Sequence, residues 1–290
     1  MAFARALAVA ANGLTHNVLE WAGDGEAGTA LLLHGFMDAA ATWDLVAPQL
    51  ASARLRVLAP DLRGFGDGAR IAPGAYYYFP DYVLDVAEIV ETLVPDGSPL
   101  YVVGHSMGGS IATMYAGTVP SRVTRLVVVE GAGPPDNQHE HVPDRMRRWI
   151  DDVRGVRSRG QRSMPSRDDA LRRLVGNHPR VSPEVIRTRL DALLRELPDG
   201  RFAWKADPLH ATQSPIAFFA ESFKAFIRRV ECPALFVSGG PLGWHPPDEA
   251  ERIACFRQLS RVEIGDAGHM MHWTHPGELA KAVLGFVLAQ

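Results

Sequence analysis

The stretch Pro99-Leu-Tyr-Val-Val-Gly-His-Ser-Met-Gly-Gly-Ser110 constrains this chain more than any other. Leu100 to Val103 is a short apolar run of β-branched and aromatic residues, the pattern of a buried strand. Ser110 to Thr118 reads as a helix that Pro120 stops. Between them the chain has to pass from strand to helix in almost no length, at Gly104-His105-Ser106-Met107-Gly108. Glycines two before and two after the serine remove side chains that would collide across such a turn. Ser106 is then left at a helix N-terminus, where free N–H groups and the helix dipole favour negative charge. A Gly-rich strand–helix junction can also form with no chemistry attached, so the neighbouring motifs decide between the two readings.

Those neighbours follow a βα rhythm. Strands are expected at Val18 to Ala22, Thr29 to Leu33, Arg56 to Ala59, Leu100 to Val103 and Arg125 to Val129, then at Ala234 to Ser238 and Arg261 to Ile264. Helices are expected at Ala39 to Leu50, Asp81 to Leu93, Asp248 to Phe256 and Pro276 to Leu288. Strands alternating with helices imply a mostly parallel sheet covered on both faces. From about Pro134 to Arg229 no apolar strand is expected. Helical segments near 143–154, 167–176, 182–196 and 215–229 fill that interval. The expected organisation is a core of residues 1–133 and 230–290, with residues 134–229 inserted as a helical cap between the sixth and seventh core strands.

Composition narrows the function classes. The chain has 290 residues, 47% of them hydrophobic, and a net charge of −3, which suits one sizeable core and gives no footprint for nucleic acid or membrane. No apolar run approaches a membrane span. The Ala-rich run Ala2 to Ala11 lacks a cleavage pattern and is not read as a signal peptide. Two cysteines, Cys232 and Cys255, give no disulfide framework and suit a reducing, cytoplasmic setting. The arginine-rich run from Arg145 to Arg167 reads as a solvated cap face or mobile loop, with a site for a phosphate-bearing acyl carrier as the alternative.

The remaining motifs sit where strands end, the edge at which open α/β sheets bind ligands. His34-Gly35-Phe36-Met37 follows the second expected strand, and Gly265-Asp266-Ala267-Gly268-His269 follows the last. A tetrahedral intermediate of acyl transfer needs backbone N–H donors at its oxyanion. Met107 supplies one just after the serine, and Phe36 is expected to supply the other. His269 is the candidate base for Ser106. His269, His272 and His275 recur at three-residue steps, yet nothing nearby completes a metal site, so no metal is expected. The acid that orients the base has two candidates. Glu130 ends the strand after the Ser106 helix. Asp248 lies beyond Gly239-Gly240-Pro241-Leu242-Gly243-Trp244, a loop without a carboxylate, and beside Pro246-Pro247 it also suits the first turn of a helix. Glu130 is preferred and Asp248 is the alternative. His105 is read as a packing and hydrogen-bonding residue. Trp149, Trp204, Phe218, Phe219, Phe223 and Trp244 are candidates for an apolar pocket or for core.

Four segments carry a family resemblance: Leu32-Leu33-His34-Gly35-Phe36, Asp61-Leu62-Arg63-Gly64-Phe65-Gly66, Gly104 to Gly109, and Gly265 to His269. In these and in their order the chain resembles the α/β-hydrolase superfamily, in its capped serine-nucleophile branch. His34 to Trp43, Tyr76 to Asp85 and Val129 to Pro134 look most like the serine-hydrolase-like proteins. The resemblance implies an α/β-hydrolase fold, a Ser106–His269–acid triad, an oxyanion hole at Phe36 and Met107, no cofactor, and hydrolysis of an ester or related acyl bond. The chain departs from the commonest family pattern in lacking an acid after the penultimate strand; some members place it where Glu130 falls. A small-molecule acyl substrate is the expected partner, with monomer and homodimer both open. A same-fold thioesterase, lactonase or C–C bond hydrolase is the nearest alternative. A ligand-binding receptor with little turnover is the alternative of another class.

Overall fold

A computed structural model describes residues 4–289. Eight strands form one sheet: β1 (Arg5–Ala11), β2 (Leu14–Trp21), β3 (Thr29–Leu33), β4 (Arg56–Pro60), β5 (Leu100–His105), β6 (Arg125–Val129), and, after a long excursion, β9 (Ala234–Ser238) and β10 (Leu259–Glu263). Their spatial order is β1-β2-β4-β3-β5-β6-β9-β10. The β1–β2 and β2–β4 pairs are antiparallel and all others parallel. β3 is wholly buried and β5 wholly buried along its length, as central strands covered on both faces must be.

α2 (Phe79–Leu93) and α3 (Met107–Thr118) pack on one face of the sheet, and α1 (Ala47–Ser52) and α10 (Pro276–Val287) on the other. The odd-numbered residues of β5, Tyr101 and Val103, join the second face and Leu100 and Val102 the first, the period of two that a strand imposes. Two short helices complete the core, α8 (Glu249–Ile253) and α9 (Met271–Thr274).

Between β6 and β9 run α4 (Val142–Arg159), α5 (Arg167–Asn177), α6 (Pro183–Leu193), a small ribbon of β7 (Leu194–Glu196) with β8 (Phe202–Trp204), and α7 (Ala220–Arg229). Met164, Leu171, Leu174, Ile186, Leu190 and Leu193 form a separate apolar cluster that rests on Ala39, Met270 and Trp273. α7 differs from its neighbours: Phe223 and Ile227 join the core cluster beneath α3, and Gly117 of α3 lies against the backbone of Phe226. The expected division at residue 229 counts this helix with the insertion, whereas its apolar face packs with the sheet layer.

Three local expectations need correction. The Ala-rich N-terminal run holds an additional strand, β1, whose Val9 and Ala11 are buried; its alternation is masked because small alanines fill both faces. The first two residues of that run, 2 and 3, lie outside the described residues. The helix expected from Ala39 to Leu50 is broken into a 3₁₀ turn at Ala40–Trp43 and α1, although Trp43 and Leu50 both point inward as expected. The helix expected over 182–196 ends at Leu193, where the chain turns into the β7–β8 ribbon.

Candidate active site

Ser106 sits between β5 and α3 with φ +51° and ψ −118°, a backbone state that ordinary residues avoid. The turn holds because glycine is present where contact is closest. A Cβ on Gly104 would come within 2.6 Å of Gly109 Cα, and one on Gly108 within 2.6 Å of the His34 carbonyl oxygen. The Ser106 N–H donates to the Val129 carbonyl (2.9 Å), which ties the bend to β6.

His269 reaches Ser106 from the loop after β10. Its Nε2 lies 3.0 Å from Ser106 Oγ, and its Nδ1 lies 3.4 Å from Glu130 Oε2. Glu130 directly follows β6, again with a positive φ of 52°. Its carboxylate is buried and held from the β9 side: Oε1 accepts the Gly239 N–H (2.6 Å) and Oε2 accepts the Trp244 N–H. The loop that lacks a carboxylate thus contributes two amides to one. Gly243 is required there, since a Cβ would come within 2.6 Å of Glu130 Oε2.

Asp248 is engaged elsewhere. It precedes α8 and pairs with the fully buried Arg252, Nη2 to Oδ1 at 2.7 Å and Nε to Oδ2 at 2.8 Å. Arg252 also donates to the carbonyls of Ala132 (2.9 Å) and Pro134 (2.7 Å), so this ion pair pins the chain just after Glu130.

Phe36 follows β3 in the loop beside the serine; a Cβ on Gly35 would come within 3.2 Å of Ser106 Cβ. The amide N–H groups of Phe36 and Met107 have no hydrogen-bond acceptor among the described residues. That is the condition under which they can serve an incoming oxyanion. The loop is set from below by Asp61, which accepts the Ala40 N–H (2.8 Å), the Asn17 amide (2.7 Å) and the Asp67 N–H (3.0 Å). Arg63 is fixed in turn by Asp85 of α2. Asp67, just beyond the Arg63-Gly64-Phe65-Gly66 turn, pairs with Lys205 (2.8 Å).

A cavity of about 350 Å³ opens onto Ser106, lined by Phe36, Phe79, Met107, Pro134 and Trp244 among others. Of the six aromatics singled out in the sequence, only Trp244 lines it. Trp204 lines a neighbouring cavity of about 300 Å³ with Met37. Phe223 is core, Phe218 lies under the Arg252 guanidinium, and Phe219 stacks on His139. Trp149 packs edge-on against Tyr76.

His105 is buried beneath the pair. Its Nε2–H donates to the His269 carbonyl (2.8 Å), which fixes the backbone of the base. Burial, with His272 and His269 adding to it, pushes the His105 imidazole well below its ordinary value, so it is neutral at neutral pH. The three histidines at three-residue steps do not converge on one point. His272 bonds Asp38, and His275 Nδ1 meets Thr274 Oγ1. Sequence reasoning missed Asp38 altogether. Its signal was available only as a polar residue inside an otherwise apolar run, Phe36 to Ala41.

Comparison with known proteins bears on the family and the fold. The model of the alpha/beta hydrolase family matches residues 30–282. A probable serine hydrolase of Drosophila melanogaster is 25% identical over 92% of this chain and 83% of its own length. A serine hydrolase-like protein of Danio rerio is 29% identical over 61% of this chain, which spans 54% of that relative. Among solved structures, a hypothetical protein from Pseudomonas aeruginosa superposes with a TM-score of 0.83 at 25% identity, covering 97% of this chain and 96% of that one. Among the described residues no helix is long and apolar enough to cross a membrane. The chain belongs to the alpha/beta hydrolase family, in its serine-hydrolase-like branch, and is a hydrolase.

Proposed function

We propose that this protein hydrolyses a carboxylic ester, or a closely related acyl bond, through Ser106, His269 and Glu130. The observation that carries the reading is the continuous line of contacts from Ser106 Oγ to His269 Nε2 (3.0 Å) and from His269 Nδ1 to Glu130 (3.4 Å). Ser106 Oγ bonds to the acyl carbon while its proton passes to His269 Nε2. The oxyanion takes the Phe36 and Met107 N–H groups. When the intermediate collapses, the ester C–O bond breaks and the leaving oxygen takes the proton from His269. A water then attacks the acyl-enzyme, its proton moving to His269 and on to Ser106 as the carboxylic acid departs. Glu130 keeps Nδ1 protonated and offsets the charge of the imidazolium.

The lining of the Ser106 cavity supports an apolar acyl group without negative charge, because Phe36, Phe79, Met107, Pro134 and Trp244 wall it and no arginine or lysine borders it among the described residues. The helical segment between β6 and β9 is the proposed cap, counted as residues 134–229, with its last helix, α7, turned against the sheet layer. Ser106→Ala is expected to abolish turnover of short p-nitrophenyl esters and labelling by a fluorophosphonate probe, a loss on the order of 10⁴–10⁶ in rate. Retained turnover in a clean preparation refutes the reading. A wild-type protein that binds ligand tightly but is never labelled belongs to the receptor class.

A further inference from the structure

A second carboxylate–imidazole pair lies two rings away from the first. His272 Nε2 is 2.8 Å from Asp38 Oδ2, and the two side chains are 0% and 2% exposed. Asp38 stands two residues beyond Phe36, and its Oδ1 accepts the Ala39 N–H (2.9 Å). His272 stands three residues beyond His269, in α9. The ring of His105 lies between the two imidazoles, its centroid 4.4 Å from that of His272 and 4.8 Å from that of His269. On its Nδ1 side it abuts Gly35, where a Cβ would come within 2.8 Å of that nitrogen. Burial alone would raise the Asp38 carboxyl, but the hydrogen bond and charge of His272 hold it below the ordinary range.

A carboxylate in so dry a place is expensive, and apolar residues of similar volume could hold two loops together as well or better. What the pair adds is direction: one hydrogen bond between two fixed groups sets a distance, where apolar packing tolerates sliding. The loops it joins each carry one half of the proposed chemistry.

We propose that Asp38 and His272 are positioning residues, whose hydrogen bond holds the loop bearing the Phe36 N–H at a set spacing from the segment bearing His269. This inference rests on the Ser106 hydrolase reading. In a site of this kind an ångström of misplacement costs about 100-fold in rate, with little effect on binding.

The test compares wild type, His272→Gln, His272→Phe and Asp38→Asn, each measured well below its own melting temperature. The readouts are kcat and KM on p-nitrophenyl butyrate, the rate of Ser106 phosphonylation, and Tm. His272→Phe and Asp38→Asn are expected to lower kcat and the labelling rate roughly 10–100-fold with KM nearly unchanged. His272→Gln, whose amide N–H can stand in for Nε2–H, is expected to recover most of that loss. If His272→Phe fails to fold, Asp38→Asn and His272→Gln decide. Folded variants with wild-type kcat and labelling, lowered only in Tm, overturn the inference. So does an equal loss in His272→Gln and His272→Phe, which would show that supplying the N–H donor restores nothing. A wild type that neither turns over esters nor labels removes the Ser106 reading and this one together; a labelled wild type with unaffected variants removes this one alone.

Discussion

Two imidazole–carboxylate pairs stand side by side in this molecule, and exposure is what sets their roles apart. His269 is about one-third exposed and faces a cavity, with Glu130 behind it; His272 and Asp38 are sealed. The same two functional groups thus occupy an open and a closed setting within one layer of side chains. The open pair meets a hydroxyl, so it can exchange a proton with something that enters. The closed pair meets only protein, so it can do no more than hold. Exposure, and not the chemistry of the side chains, separates the proposed roles.

The largest effect should come from the open pair. Glu130→Gln keeps the volume but removes the charge and favours the wrong imidazole tautomer; kcat is expected to fall by about 10⁴, read as burst and steady-state ester turnover. A fall of less than tenfold would erase the distinction between the pairs. Gly243→Ala is expected next. Its Cβ would press on the Glu130 carboxylate, and a loss of roughly 10–100-fold in kcat with the fold retained by circular dichroism would follow from that displacement.

Asp248→Asn sharpens the comparison from outside it. The buried Arg252 keeps its two carbonyl acceptors but loses its counter-charge, so stability is expected to drop by about 3 kcal/mol, measured by urea unfolding, while kcat of the folded protein stays within a few-fold of wild type. A collapse of activity without loss of stability would instead make Asp248 the acid.

The smallest effect concerns His210, a half-buried imidazole with no carboxylate bonded to its ring. It stacks on Phe65 (centroids 3.9 Å apart) and Tyr77, and burial holds it down to about 4 from an ordinary 6.5; Asp207 opposes this, and His34 and Arg70 add to it. Between those two values the unfolded chain binds the extra proton. Stability therefore falls as pH drops below 6.5, and the loss levels off below about 4. His210→Phe removes that contribution. Between pH 7 and 5 the variant is expected to lose on the order of 1–2 kcal/mol less than wild type, a difference of a few degrees in Tm.

Much of this was legible in the chain because its central features are local. The Gly104–Gly108 turn, the apolar strand before it and the histidine after the last strand are each written in consecutive residues, and the α/β-hydrolase fold follows from their order. Glu130 could be singled out by its place at a strand end. What holds it could not, since the Gly239 and Trp244 amides come from main chain and leave no side-chain trace. Asp38 and His272 are 234 residues apart in sequence and meet only where α9 packs against the 3₁₀ turn that follows β3. β1 was hidden because alanine carries no strand signature, and the packing of α7 on the sheet layer was hidden because helical periodicity does not say which layer a helix covers.

The origin of the Glu130 carboxylate has a consequence for how such a site can diversify. On this reading, because the acid is rooted in β6, the 239–244 loop owes the chemistry two main-chain amides and glycines at 239 and 243, the first because a Cβ there would meet the Gly268 backbone beside His269. The identity of its other side chains, Trp244 included, is released from that duty. Descendants of this sequence could therefore exchange one wall of the chamber for another, and so change what they accept, without disturbing the machinery behind it.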